Sequence, residues 1–370
     1  MVNKKKKIFV LIVPIWGEYI ELFFSLTFKS LLFDGNLNFL KKNSNLKFIF
    51  CTRKKDKNLI DGQIPDIFDR EYCLIDRILE KEPRKKHLHK SYLEGFKKEK
   101  RNHKDINFLL LTADDFFASE NLKYLFNLIK NRTELNLILE NKILVNHELF
   151  RKKIKIFLRK KNIKKKQLVK LSFLTMDNFS KYSNPYLSKF NYSTYNLVFN
   201  VDKNNKLMRS YLMHPLLIRP KAKITKMESF IDYYLQPKYV SSFKNIYFIK
   251  NSNSFVRVGI VNKDFSKSII YKFQVNKFAS TLSRWVTQYH KKYVFYETLF
   301  TVKKPNNKNL KSIKKTSLKL VNKIDVILKN KKKNYKKHPY WISGEPSIKN
   351  IIIENLKSKI IHPIFRLFLK

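Results

Sequence analysis

The chain has 370 residues, of which 44% are apolar and 14% aromatic. That is enough apolar side chain for a sizeable core, which argues against wholesale disorder and allows one large domain with an appendage, or two domains. Lys and Arg number 78 against 29 Asp and Glu, a formal net charge of +49, yet the bias accompanies heavy use of Asn, Ile and Phe along the whole chain and only 6 Gly. Such a field attracts polyanions of every kind, from nucleic acid and anionic lipid to sugar nucleotides and acidic glycans. No helix-turn-helix, zinc-finger or RNA-recognition pattern goes with it, so a specific nucleic-acid partner is not expected. The two cysteines, Cys51 and Cys73, have no zinc-site or disulfide-framework spacing and read as reduced thiols.

The N-terminal KKKKIFVLIVPIWG resembles a signal peptide in its basic start, but its apolar run is short and no small-x-small cleavage site follows. It reads instead as the first strand of a parallel sheet, covered on both faces. GEYIELFFSLTFKSLL is the helix after it, stopped by FDGN. LKFIFCT is the second strand, ending at Thr52, and RKKDKNLIDGQIPD a polar loop. EPRKKHLHKSYLEGFKKEK is a basic helix with Leu88, Tyr92 and Phe96 on one face. INFLLLT is the third strand, followed by Ala113-Asp114-Asp115. SENLKYLFNLIKN is a helix for which Ser119 is the expected cap, and LNLILEN is the fourth strand.

Residues 150–170 form a basic helix pair, 180–220 are aromatic and irregular, and YFIKNSNSFVRVGI suggests strand, turn, strand. STLSRWVTQYHKKYVFYETLF reads as one long helix. A Lys-rich linker over 303–339 and an interrupted amphipathic tail, broken at Pro363, complete the chain. No stretch reaches the roughly 18 apolar residues of a membrane span. The expected division is a nucleotide-sugar-binding domain over 1–265, a helix over 266–302 packed on it, and an extension over 303–370.

The β-α-β-α-β-α-β rhythm of the first 145 residues predicts an α/β fold with a mostly parallel sheet flanked by helices. Ligands of such sheets collect at the carboxyl ends of the strands. Three polar clusters fall there: Trp16-Gly17-Glu18, Thr52-Arg53 and Asp114-Asp115. A strand that ends in Asp offers a rigid carboxylate at that rim, although Asp is also common wherever strands turn. A nucleotide diphosphate needs a cation held by carboxylates, or Lys, Arg and backbone donors instead.

At VPIWGEYIELFFSLTFKSLLFDGN (13–36), FCTRKKD (50–56), LLLTADDFFASENL (109–122), YLMHPLLIRP (211–220) and WVTQYHKKYV (285–294) the chain resembles GT-A-fold glycosyltransferases, and more narrowly a glycosyltransferase-like family of bacterial surface-polysaccharide gene clusters. The motifs spread over about residues 7–295, and their order carries the resemblance. It implies transfer of a sugar from a nucleotide-sugar donor to a glycan or lipid-linked acceptor. It places the donor near Pro14, Trp16, Gly17, Glu18, Thr52, Arg53, Thr112, Asp114 and Asp115. His214 reads as a contact to the diphosphate or a metal, or as a hydrogen-bonded histidine before a turn, and Arg219 as a phosphate contact or a surface residue. It implies a divalent cation, Mn or Mg, on Asp114 and Asp115.

The usual motif of that fold is Asp-any-Asp, and here Thr112 replaces the first carboxylate. Side chains at i and i+2 share a strand face, so Thr112 and Asp114 point together and Asp115 elsewhere. Glu228 and Asp232, four apart on one helical face, offer a general base, or else structural salt bridges. His290 reads as a core histidine. The same residues allow a catalytically silent binding or assembly protein of that pathway. The single glycine in PIWGEY argues against a dinucleotide-type cofactor site. The expected location is cytoplasmic, with peripheral contact to an anionic inner membrane face.

Overall fold

The computed structural model describes residues 6–227, 231–261 and 270–330. Glu228, the expected interruption at Pro363 and the amphipathic tail lie outside the described residues. The strands, in chain order, are β1 (Lys7–Pro14), β2 (Ser44–Thr52), β3 (Asp69–Leu74), β4 (Ile106–Leu110), β5 (Asp115–Phe117), β6 (Leu137–Glu140), β7 (Ile143–Asn146), β8 (Phe190–Asn191), β9 (Asn196–Asp202), β10 (Asn205–Ser210), β11 (His214–Ile218), β12 (Ile246–Phe248), β13 (Arg257–Val261), β14 (Ile270–Tyr271) and β15 (Glu297–Thr301).

Seven of them form the central sheet, in the order β12-β6-β11-β4-β1-β2-β3. Every neighbouring pair is parallel except those of β11, which runs antiparallel to both β4 and β6. The expected α/β architecture is therefore present: a mostly parallel sheet flanked by helices. Smaller sheets, β15-β10-β9 and β5-β13-β7, pack beside it.

β1 shows why this sheet forms. Phe9, Leu11 and Val13 enter a core with Phe23, Phe28 and Phe50 on one face. Val10 and Ile12 enter a second core with Tyr92 and Phe96 on the other. A strand buried on both faces needs apolar residues at every position, and each such side chain contributes about 1.5–3 kcal/mol on burial. The helix His87–Lys98 lies close on the sheet because Gly95 faces it, where a β-carbon would collide with Ile12 Cγ2 and lie 3.1 Å from Cys51 Sγ.

Several local expectations change. β3 occupies sequence that carried no strand signal; it is an edge strand whose Asp69, Arg70 and Glu71 are partly solvated, so its apolar pattern is weak. Ser119 does not cap the helix Asn121–Asn131: its hydroxyl donates to Asn162 Oδ1, and the capping position belongs to Glu120, in a left-handed conformation. The irregular stretch contains the β9–β10 hairpin and β11. β12 and β13 belong to different sheets and form no hairpin. The long helix expected near 280–300 is two short ones, Val275–Leu282 and Gln288–Tyr293, followed by β15.

The largest change is in the stretch expected as a Lys-rich linker, where Asn307–Asn330 is a 24-residue helix; residues 331–339 of that stretch lie outside the described residues. Its Val321, Ile324 and Leu328 are buried with Phe199, Phe278 and Leu282. Among the described residues no helix is long and apolar enough to cross a membrane.

Candidate functional site

The carboxyl ends of β1 and β4 open into a cavity of about 1030 Å³. The reversed direction of β11 decides what else lies there. Its first residue, His214, pairs with Glu140 at the end of β6 and so sits on this edge. Arg219, just past its last residue, falls on the opposite edge. Pro14, Trp16, Thr112, Asp114, His214 and Asp232 all line the cavity. The structure therefore gathers six of the sequence candidates, from β1, β4, β11 and the helix Ile231–Tyr239, around one space.

The turn after β4 is held from three sides. Thr27, on a π-helical turn (Phe23–Thr27), donates from its hydroxyl to Ala113 O at 2.6 Å. Tyr92 donates from its hydroxyl to Leu111 O at 2.6 Å. Ile260 of β13 donates its N–H to Asp114 O at 2.7 Å. Backbone fixed this way presents its carboxylates rigidly, as a binding site requires.

Asp114 and Asp115 have opposite fates. Asp114 faces the cavity, where burial and then the neighbouring Asp115 hold its carboxyl above the usual carboxylate range, against the pull of Lys142. The Thr112 hydroxyl also favours the charged form but makes no hydrogen bond of good geometry. Asp115 is fully buried and turned away. Its Oδ1 accepts from Lys142 Nζ at 2.9 Å, and its Oδ2 accepts from Arg257 Nη1 at 2.5 Å and from Thr112 N–H at 3.1 Å. Burial pushes its pKa up, but Arg257 and Lys142 outweigh burial and leave it lowered.

The expected metal pair is corrected here. Both Asp115 oxygens are occupied, and a dication sharing that carboxylate would stand on the order of 4 Å from Lys142 and Arg257. Even unit charges repel by about 4 kcal/mol at that distance with an effective dielectric of 20. Among the described residues no group of three or more His, Cys, Asp and Glu could hold a metal ion. Asp115 is therefore not an open ligand for a divalent cation beside Asp114.

Arg257 is 2% exposed and also pairs with Glu140, whose pKa burial pushes up to about 7. Neither Arg257 nor Lys142 figures among the sequence candidates. A signal existed for both. Arg257 is the one charge in the apolar run FVRVGI, and a charge inside a strand must find a partner. Lys142 follows the end of β6, on the same edge as Asp114.

Across the cavity His214 links two groups. Asp232 Oδ1 lies 3.6 Å from its Nδ1, and the Tyr195 hydroxyl lies 3.1 Å from its Nε2. Burial raises the Asp232 pKa, but pairing with His214 outweighs that and holds it below the usual range. Burial alone lifts Tyr195 well above the phenol range, with Asp232 and Asp114 adding to it, so it stays protonated. His89 lines the cavity beside them and accepts from Ile231 N–H at 3.1 Å. His290 is fully buried, its Nδ1 3.1 Å from Thr287 N, in the core position expected of it.

The remaining sequence candidates do not line the cavity. Gly17 adopts φ +59 and donates its N–H to Asp56 Oδ2 at 3.0 Å. Arg53 is bound to the same Asp56, its Nη2 2.9 Å from Oδ1. Gly17 and Arg53 thus brace the loop beside Trp16 rather than offer donors to a phosphate. Glu18 points to solvent, and Thr52 is fully buried behind the edge. Arg219 donates to Leu135 O at 3.0 Å and to Thr133 O, on the far side of the sheet.

Fold and site together define a mostly parallel α/β protein with a cleft at the carboxyl edge of its sheet, lined by an indole, the Asp114 carboxylate and a histidine–carboxylate pair. No protein-family model and no curated protein sequence matches the chain. Among solved structures, residues 1–349 of S. aureus TarS are 10% identical over 88% of this chain and 73% of that one, with a TM-score of 0.32. The same TarS fragment in complex with UDP-GlcNAc matches at 14% identity over 37% of this chain and 35% of that one, TM-score 0.27. Mouse xyloside xylosyltransferase 1 matches at 9% identity over 42% and 59%, TM-score 0.28. The chain covers 22% of the longer TarS structure. At this level of likeness none of them bears on substrate or reaction.

Proposed function

We propose that the chain is a glycosyltransferase that moves a sugar from a nucleotide-sugar donor to a hydroxyl of a glycan or lipid-linked acceptor in cell-surface polysaccharide synthesis. The observation that supports this most is the meeting of Asp114 with the His214–Asp232 pair around one cleft at the carboxyl edge of the sheet. Trp16 and Pro14 offer a flat apolar wall for the base. Asp114 accepts hydrogen bonds from the donor's sugar.

In this reading the general base is His214, not Asp232. A carboxylate with a lowered pKa is a poor base, and the imidazole beside it carries the ring nitrogen that faces the cavity. Asp232 on the Nδ1 side holds the proton there, and Nε2, which faces the Tyr195 hydroxyl at 3.1 Å, takes a proton once the acceptor hydroxyl replaces Tyr195 as its partner. The acceptor hydroxyl gives its proton to Nε2, its oxygen bonds to the anomeric carbon, and the bond from that carbon to the diphosphate breaks with the electron pair leaving on the nucleoside diphosphate. The net charge of +49 suits a peripheral position on an anionic membrane, where lipid-linked acceptors would lie.

The test is thermal stability against a panel of nucleoside diphosphates and sugar nucleotides, beside Asp114→Ala. A ligand present at a hundred times its Kd stabilises the folded state by about 2.7 kcal/mol. A rise with one nucleotide sugar, reduced in the variant, supports the donor site and names its base. No rise with any nucleotide refutes it. One observation favours a silent donor-binding protein instead: Asp115, the residue that would complete a metal pair, is locked by Lys142 and Arg257. That protein would bind the nucleotide and show no transfer to any acceptor.

A further inference from the structure

We infer that the cleft holds the diphosphate of its donor with Lys142 and Arg84 and without a divalent cation. The inference rests on the donor reading and adds how the charge of the leaving group is met.

Arg257 Nη1 at 2.5 Å and Thr112 N–H at 3.1 Å hold Asp115 Oδ2, and Lys142 holds its Oδ1 at 2.9 Å. That bond takes one of the three donors of the ammonium. Lys142, 9% exposed and lining the cavity, can therefore turn a further N–H toward an anion without leaving Asp115. Lys is suited to this, because its ammonium sits on a flexible stem with three rotatable donors. Arg257 is not, since both Asp115 and Glu140 depend on it.

Arg84 lines the same cavity and makes no ion pair among the described residues. It is solvent-exposed and lies three residues before His87, whose ring meets Trp16 edge-on on the wall where the base would lie. A diphosphate entering between Arg84 and Lys142 finds one cation exposed on the wall and one largely buried. The same arrangement that excludes a metal from Asp115 supplies a replacement for it. Glu140 adds slack: it takes up a proton near neutral pH, which leaves the buried cluster more positive when an anion arrives.

The experiment titrates full-length protein with UDP, GDP, ADP, CDP and TDP by calorimetry, in EDTA and again in excess MnCl2. It is repeated with Lys142→Met and Arg84→Met. The expected result is one nucleotide with the same affinity in both buffers, weakened about ten- to hundredfold by either variant, the usual worth of a charge-assisted hydrogen bond. Binding that needs Mn overturns this inference and leaves the donor reading standing. Binding that is metal-free but indifferent to both variants also overturns it. No binding in either buffer refutes the donor reading itself. Should Lys142→Met not fold, Arg84→Met, on an exposed side chain, decides the matter alone.

Discussion

Replacing Arg257 with Met tests the electrostatic design of the site. Arg257 is 2% exposed and is the shared partner of two buried carboxylates, Asp115 and Glu140. Removing one partner of a buried ion pair costs about 3–5 kcal/mol, because the other charge is left uncompensated. Two features limit the loss here. Asp115 keeps Lys142 at 2.9 Å, and Glu140, with a pKa already pushed to about 7, escapes by taking a proton. The expected loss at pH 8 therefore lies at the lower end, about 3 kcal/mol, out of a typical total of about 5–15.

That proton makes the loss pH-dependent. In the variant the folded-state pKa of Glu140 rises further above its unfolded value. The stability tied to that proton is fully present below the unfolded pKa, and it is lost as pH rises toward the folded one. Each unit of pH in the window is worth up to about 1.4 kcal/mol. Wild type and variant differ in that proton only above about pH 7, so the gap between them should narrow by about 1.4 kcal/mol from pH 8 to pH 5. Urea unfolding followed by tryptophan fluorescence at the two pH values measures it. Groups that titrate equally in both proteins cancel from the gap. A gap below about 1 kcal/mol at pH 8, or one independent of pH, would refute the view that Arg257 neutralises this cluster.

Two other outcomes follow from the site's histidines. His214→Asn should lower kcat by about 10²–10⁴ with little change in donor KM, as loss of a general base does. Asp232→Asn, acting through His214, should lower kcat less and shift the pH–rate profile; equal donor binding by calorimetry in both variants checks that neither merely empties the cleft. Separately, burial lowers the pKa of both His89 and His290 to about 4. Between about pH 6.5 and 4 the unfolded chain then binds protons that the folded chain does not, so stability is full above that window and falls through it. Urea midpoints should drop on going from pH 7.5 to 5, and less steeply in His290→Asn; a flat profile in the wild type would contradict this.

What the sequence shows and hides follows from the range of each force. β1 and β4 are legible because strands covered on both faces are apolar nearly throughout: KIFVLIVP departs only at Lys7 and INFLL only at Asn107. β3 is not, because at the sheet edge Asp69, Arg70 and Glu71 are solvated and blur the pattern. The helix Asn307–Asn330 was legible in principle: Val321, Ile324 and Leu328 recur at helical spacing, but the many lysines between them suggest a solvated linker. Arg219 belongs to the wrong edge for a reason no local reading contains, namely that β11 runs backwards between β4 and β6.

The same reversal brings His214 to the cleft, so one topological fact moves one candidate in and another out. Asp115 is the sharper case. Read alone, Asp114-Asp115 is a pair of equivalent ligands, and alternation along the strand separates only their directions. What separates their chemistry is Arg257, 142 positions further along the chain, which arrives by way of β13 pairing with β5. A carboxylate's availability depends on whether a cation has already claimed it, and that is set by sheet pairing rather than by neighbours in sequence. Asp114 is left to meet a ligand because its backbone carbonyl, not its side chain, is what β13 holds.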